Sequence, residues 1–266
     1  MEEQVLRVTI DRRGVARLTL NRPQLRNAFN EELIGEICDT IGKLSNDENV
    51  RIIVLTGAGK AFSAGADLNM MRRVADYSAA ENKDDARRLA HMLRSIYDCD
   101  KPTIALVNGP ALGGGIGLIA ACDIAIASED AFFALSEVRL GLIPAVISPF
   151  VVRAMGPRQS RRYFISGERF DAAKAKELDL IHMVAMPQQL ETTLDGIIDN
   201  LLAGAPMAQS ASKDLIRLVA YQKIDDSVME ETAGLIAKAR AGIEGKEGVT
   251  AYLEKRKPSW IINQEE

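Results

Sequence analysis

Apolar residues along this chain recur with two different spacings, and the switches between them set the order of elements. Val5, Arg7 and Thr9, then Gly14 followed by Val15-Ala-Arg-Leu-Thr-Leu20, alternate as strands do, and Asp11-Arg-Arg-Gly14 supplies turn chemistry between them. A hairpin is predicted there, closed by Asn21-Arg-Pro23. Asn30-Glu-Glu-Leu33 opens an amphipathic helix to about Leu44, with Asn30 as N-cap and acidic residues in the first turn. Val50-Arg-Ile-Ile-Val-Leu-Thr56, mostly apolar and bounded by Gly57 and Gly59, suits a strand buried on both faces.

The alternation continues with a helix from about Asp84 to Tyr97, a strand over Pro102–Val107 and a helix over Gly113–Ala121. Strands follow over Cys122–Ala127 and Ala131–Leu135. Strand, turn and helix return at intervals of roughly 45 to 55 residues around Leu20, Leu55 and Val107, which predicts a coiled βαβ stack. After about Pro206 the strand signals stop, and Met207–Val219, Val228–Ala241 and Lys246–Lys255 read as helices. The chain is therefore read as an α/β core over residues 1–205 and a helical region over 206–266.

At 266 residues and 47% hydrophobic, the chain can bury a large core, which excludes a disordered or fibrous protein. A net charge of −4 gives no field that would recruit nucleic acid or an anionic membrane, so an anionic ligand must be held by local arrangement. The start, Met1-Glu-Glu-Gln, lacks the basic-then-apolar profile of a secretory signal. The longest apolar stretch, Ile104 to Ala121, is broken by Asn108, Pro110 and glycines, so neither export nor a membrane span is expected. Cys38, Cys99 and Cys122 are scattered and odd in number, as in a reducing, cytoplasmic compartment. His91 and His182 stand in no metal-ligand spacing, and His91, between Leu89-Ala90 and Met92-Leu93, reads as structural. No Gly-x-Ser-x-Gly nucleophile motif is present.

Two glycine-rich turns carry the candidate chemistry: Gly57-Ala-Gly-Lys-Ala-Phe-Ser-Ala-Gly-Ala-Asp67 and Asn108-Gly-Pro-Ala-Leu-Gly-Gly-Gly-Ile-Gly117. Each follows a strand and leads toward a helix, a setting that leaves backbone amides open to an anion or a developing oxyanion. Close helix packing is the alternative use of Gly113-Gly-Gly115. The spacing does not fit a dinucleotide fingerprint, and no Gly-Lys-Ser/Thr completes a Walker loop.

The order of motifs is more specific than any one of them. Lys60-Ala-Phe-Ser-Ala-Gly-Ala-Asp-Leu68, Asn108 to Leu118, Ala121-Cys-Asp123, Leu135-Ser-Glu-Val138 and Leu140-Gly-Leu-Ile-Pro144 together resemble the crotonase (enoyl-CoA hydratase/isomerase) superfamily. Asn21-Arg-Pro, Arg26-Asn-Ala-Phe29 and the late Glu254-Lys-Arg-Lys257 match as well. The resemblance implies a ββα spiral core with a C-terminal helical region, assembled as a homotrimer or a dimer of trimers. It implies that the N–H groups of Ala66 and Gly114 hold a thioester oxygen, stabilising enolate charge by about 3 kcal/mol per donor. Glu137 would be the acid–base group, its pKa raised by Phe132, Phe133, Leu135 and Val138. Coenzyme A, as part of the substrate and not a separate cofactor, would lie against Leu25, Arg26, Lys60, Ala64, Asp67 and Leu68, with Lys255, of this subunit or a neighbouring one, near the phosphates. Asp123 is read as a structural carboxylate.

One departure matters: the second glutamate of two-glutamate hydratases falls on Gly117. Single-glutamate isomerases are thus an alternative, as is a non-catalytic acyl-CoA-binding relative. The run from Leu135 to Val152, with Gly113-Gly-Gly-Ile-Gly-Leu118, nevertheless resembles bacterial hydratases of methylglutaconyl-CoA and related branched thioesters of leucine and terpene breakdown. The resemblance therefore implies hydration of a branched enoyl-CoA. A second carboxylate on the substrate would be met by Arg72 or Arg73.

Overall fold

A computed structural model of the chain describes residues 4–74 and 76–261. Its contacts divide it into two compact units. One holds the described residues up to Cys99 and from Thr103 to Asp195; the other holds Asp100–Pro102 and the described residues from Gly196 onward. In the first unit the chain runs through β1 (Leu6–Ile10), β2 (Val15–Leu20), α1 (Glu31–Asn46), β3 (Ile52–Gly57), α2 (Leu68–Val74) and α3 (Ala79–Tyr97). It continues through β4 (Thr103–Val107), β5 (Ala111–Leu112), α4 (Gly114–Ala121), β6 (Ile124–Ser128) and β7 (Phe132–Ala134). A 3-10 turn over Ser136–Leu140 leads to α5 (Ser148–Ser166), β8 (Arg169–Asp171), α6 (Ala172–Glu177), β9 (Met183–Ala185) and α7 (Leu190–Leu202).

The predicted hairpin is present, with Leu6 opposite Leu20 and the Asp11 carboxylate accepting from the Arg13 and Val15 amides at 2.9 and 3.0 Å. From β2 onward the large sheet is parallel, in the order β1-β2-β3-β4-β6-β9. A smaller sheet, β5-β7-β8, carries the second glycine turn into the core. Every residue of β3 and β4 is buried, as a parallel strand covered on both faces requires. Helix α4 is apolar all round for the same reason: most of its residues lie inside.

Local signals account for most element ends. Asn30 caps α1 by accepting from the Leu33 amide at 3.0 Å. Helix α3 begins at Ala79, earlier than the Asp84 read from periodicity, because Ser78 and Glu81 form a reciprocal capping box. Asp123 is structural as read: its carboxylate accepts from the Thr103 amide and hydroxyl at 2.8 and 2.9 Å, tying the start of β4 to β6.

The second unit holds α8 (Pro206–Val219), α9 (Asp226–Ala241) and α10 (Ile243–Leu253), close to the three helices predicted. Glu244 caps α8 by accepting from the Met207 and Ala208 amides at 2.9 Å. The division falls after Asp195, inside α7, where the sequence reading drew it at 205/206. The end of α7 is held from the later helices: Gln209 donates to the Leu201 carbonyl and the Trp260 indole to that of Ala203. No helix among the described residues is long and apolar enough to cross a membrane.

Candidate active site

The first glycine turn is an added strip of backbone between two others. On one side Ala64 donates to the Arg26 carbonyl, Phe29 to that of Gly65 and Asp67 to that of Phe29, at 2.7–2.9 Å. On the other, Phe62 and Ser63 donate to the Pro110 carbonyl, and Leu112 to that of Ser63. Because Phe29 bonds to the residues on either side of Ala66, the Ala66 amide points the other way, where the flanking chain has already turned off into α4. It donates to nothing among the described residues.

Gly113 and Gly114 make that turn. Gly113 has φ +48°, a region that glycine enters without the Cβ penalty. Gly114 opens α4, so its amide has no intrahelical acceptor. A side chain at Gly65 (φ +82°) would stand 3.3 Å from the Gly114 nitrogen and 2.8 Å from the Leu112 carbonyl oxygen. One at Gly114 would run into the Phe29 ring at 2.7 Å. The glycines are thus required by close approach, and what they bring together is two open N–H donors at the positive end of a helix.

Glu137 closes the other side. It lies in the 3-10 turn after β7, and its Oε1 is 2.9 Å from where a Cβ on Gly113 would be. Its Oε2 is buried and accepts no hydrogen bond. Burial pushes its pKa above the ordinary glutamate range, only partly opposed by its own backbone amide. Of the four apolar neighbours expected to dry it, Phe133 and Leu135 are fully buried. Phe132 is half-buried under the Arg169 guanidinium and Val138 is exposed, so that part of the expectation is corrected.

The remaining predicted residues divide by unit. Arg26 and Ala64 are bonded to each other through their backbones, and Leu25 and Lys60 are exposed on the same two segments. Asp67 is buried, and its carboxylate is committed within the chain: Oδ2 pairs with Arg22 at 2.8 Å and Oδ1 accepts from the Asn69 amide at 2.7 Å. Leu68 begins α2, and its side chain lies outside the described residues. Arg73 is committed to Glu31 at 2.8 Å, whereas the exposed Arg72 bonds, among the described residues, to Asn69 at 3.4 Å. Lys255 belongs to the helical unit, in a left-handed turn after α10 beside Arg256, which Glu247 and Glu254 clamp at 2.7 Å.

Sequence reasoning matched Arg22, Asn27 and Phe29 to motifs but gave them no role. Asn27 is fully buried with φ +56°; its amide donates to the Ala58 and Ala61 carbonyls and its oxygen accepts from the Arg22 amide. Arg22 reaches the Ala28 carbonyl and Asp67. Asn108 links the two turns, accepting from the Gly57 amide and donating to the Gly59 carbonyl. Only Asn108, half-buried directly after β4, stood where a local signal was available, since an asparagine at a strand end can satisfy open backbone groups. Ile147 was missed too; its side chain fills the space beside Gly117.

Among the described residues no group of three or more His, Cys, Asp or Glu could hold a metal ion. His91 is exposed, and His182 accepts the Ala125 amide at its Nδ1. The arrangement provides two main-chain donors for an oxygen that gains negative charge, and one dry carboxylate to move a proton beside it.

A family model described as enoyl-CoA hydratase/isomerase matches residues 11–263. A crystal structure of an enoyl-CoA hydratase from Shewanella pealeana is 44% identical, covers 97% of each chain and superposes with a TM-score of 0.94. The short-chain-enoyl-CoA hydratase of Clostridium acetobutylicum is 32% identical over 97% of this chain and 98% of its own. The crotonyl-CoA hydratase of Syntrophomonas wolfei is 33% identical over 93% and 94%.

The raised pKa of Glu137 has a sign that unfolding can read. A carboxyl with a higher pKa folded than unfolded favours folding below its ordinary value of 4.5, and that contribution is lost as pH rises through the folded value. Glu137→Gln should therefore be more stable than wild type in urea unfolding at pH 8, and the gain should vanish near pH 4.

Proposed function

The chain belongs to the enoyl-CoA hydratase/isomerase family, and on that footing we propose that it is an enoyl-CoA hydratase, a carbon–oxygen lyase, acting on a branched, methylglutaconyl-CoA-type thioester. The observation that carries the proposal is the half-buried carboxyl of Glu137, whose Oε2 is buried and accepts no hydrogen bond, in the same unit as the open amides of Gly114 and Ala66. In this reading the thioester oxygen accepts from both amides. Glu137 takes a proton from water as the water oxygen bonds to the β-carbon, and the electron pair of the double bond moves into an enolate held by the two donors. The carboxyl then returns the proton to the α-carbon, and one water has been added. In reverse the same steps remove it. A base with a pKa lifted toward the working pH suits both transfers.

Coenzyme A would lie along Leu25, Arg26, Lys60 and Ala64, where exposed side chains border the amide pair. Asp67, whose carboxylate and amide are both engaged within the chain, would serve this binding set by holding the strip in place. Leu68 completes the proposed set on this unit, and Lys255 of a neighbouring subunit would serve the phosphates. Three free cysteines agree with a reducing, cytoplasmic setting. A homotrimer or dimer of trimers would cover Met207, Ile216, Ile236 and Ile243, apolar residues of the helical unit left at 50% to 85% exposure. Light scattering on the purified protein should give three or six times the 29.0 kDa chain mass.

Isomerisation of a 3-enoyl thioester is favoured by one observation: Gly117 brings no second carboxylate to α4. Assays with 3-methylglutaconyl-CoA, crotonyl-CoA and a 3-enoyl-CoA, followed by absorbance and mass, separate the two readings. Water addition, lowered by about 10²–10⁴-fold in Glu137→Gln, is the expected result. Double-bond migration without a mass gain would reject hydration. Alanine at both Arg72 and Arg73 should raise KM for the carboxylated substrate and leave crotonyl-CoA unaffected; equal kinetics for both substrates would exclude the arginines from recognition.

A further inference from the structure

Helix α10 closes in a Schellman turn: the Arg256 amide donates to the Ala251 carbonyl at 3.0 Å and the Lys255 amide to that of Tyr252 at 3.2 Å. The residue that such a turn places in the left-handed region is here Lys255, at φ +57°. Glycine takes that position without a Cβ penalty. Helix α5 ends on Gly167 (φ +59°), and α6 closes through the same two bonds around Asp179 (φ +59°), a residue type that enters the region more readily than most. Among the described residues four other than glycine have a positive φ, and Asn27 and Asp179 are of the tolerant types. The other two are long cations, Arg26 (φ +51°) and Lys255, and both belong to the binding set proposed for coenzyme A.

Beyond the turn the chain is pinned back along α10. Arg256 forks onto Glu247, its Nη1 and Nη2 donating to Oε1 and Oε2 at 2.7 and 2.8 Å, and its Nε donates to Glu254 Oε2 at 2.7 Å. The Ser259 amide donates to the same Glu247 carboxylate at 2.8 Å. Trp260 packs against Gly248, where a Cβ would stand 2.9 Å from the ring, and its indole N–H donates to the Ala203 carbonyl at 3.1 Å. Residues 255–260 are thus fixed at both ends, and Arg256 takes up both carboxylates of the turn. Lys255 is exposed, and among the described residues its ammonium meets no carboxylate. Backbone strain persists only where the surroundings enforce it, and it gathers where a side chain has to be aimed.

We infer, building on the role proposed for Lys255 at the phosphates of coenzyme A, that Glu247 and Arg256 are the positioning residues for that lysine: their fork holds the strained turn that presents the ammonium, and by occupying Glu247 and Glu254 together Arg256 keeps that charge free for a phosphate. A lysine whose backbone is already fixed has less freedom to lose when the phosphate arrives.

The test is calorimetric titration of the full-length protein with coenzyme A at low and high salt, with KM and kcat for crotonyl-CoA measured beside it. Glu247→Gln should weaken coenzyme A roughly three- to tenfold at low salt and hardly at all at high salt, where screening has already removed the contribution of the lysine. KM should rise to the same extent while kcat stays within about twofold. In the Lys255→Ala background the same substitution should add nothing. A loss that is equal at both salt concentrations, or that persists without the lysine, would overturn the proposal, because a clamp that only supports the fold acts without regard to Lys255. Unfolding in urea gives the second reading. Lys255→Gly should raise the midpoint and weaken coenzyme A, whereas Lys255→Ala weakens coenzyme A without the gain in stability. Equal midpoints for the two variants would overturn the strained turn and the proposal with it. Should Glu247→Gln fail to fold, Arg256→Lys, which keeps the charge and loses the fork, takes its place. Coenzyme A binding indifferent to Lys255 and Glu247 would reject this inference and leave hydration standing. The expected binding pattern without turnover of any enoyl thioester would reject hydration and leave this inference standing, and a wild-type protein that binds no coenzyme A would reject both.

Discussion

The site depends on where a backbone ladder ends. Residues 62–65 find main-chain or hydroxyl acceptors on one side or the other, and at Ala66 the chain that would have supplied the next acceptor has turned into α4. Ala66 is exposed, so its amide stays open to solvent while the strip that carries it is held firmly. Arg22, Asn27 and Asp67 do the holding. For Asp67, burial alone would raise the pKa, but hydrogen bonds from the Asn69 amide and Arg22 outweigh it, and the carboxyl is held below the ordinary range. The same group of bonds that keeps Asp67 charged keeps the amide strip in place.

Glu137 is governed by the opposite balance. Burial raises it with no charged partner, and the backbone of Gly113 stands beside its Oε1. Two carboxylates of the same unit, Asp67 and Glu137, are thus driven in opposite directions by their surroundings. One is a fixed anion that builds structure, and the other is a group pushed toward its neutral, protonated form.

Much of this was legible in the sequence because the signals were local. The β-branched run before Gly57 and the asparagine before Glu31-Glu32 each report on a few neighbouring residues, and the strand and cap followed. The start of α3 was equally local but overlooked, since Ser78 and Glu81 precede any apolar periodicity. The carboxylate and the two amides came from ordered motifs. The roles of Asn27, Asn108 and Ile147 were not legible, because each acts on residues thirty to fifty positions away or fills a volume defined by another element. Val138 was misjudged on the same ground: adjacency in sequence to a buried carboxylate does not bury the neighbour when the chain is in a 3-10 turn.

The open donors are main-chain atoms, and this bears on how the gene can drift. A substitution at residue 66 changes a side chain that is already exposed and leaves the N–H in place. At Gly65, Gly113 or Gly114 the gain of a single methyl group collides with a carbonyl, the carboxylate or the Phe29 ring. The open donors are therefore encoded least by residue 66 itself and most by the neighbours that have no side chain at all. Codons that look interchangeable for want of chemistry are the ones selection must guard.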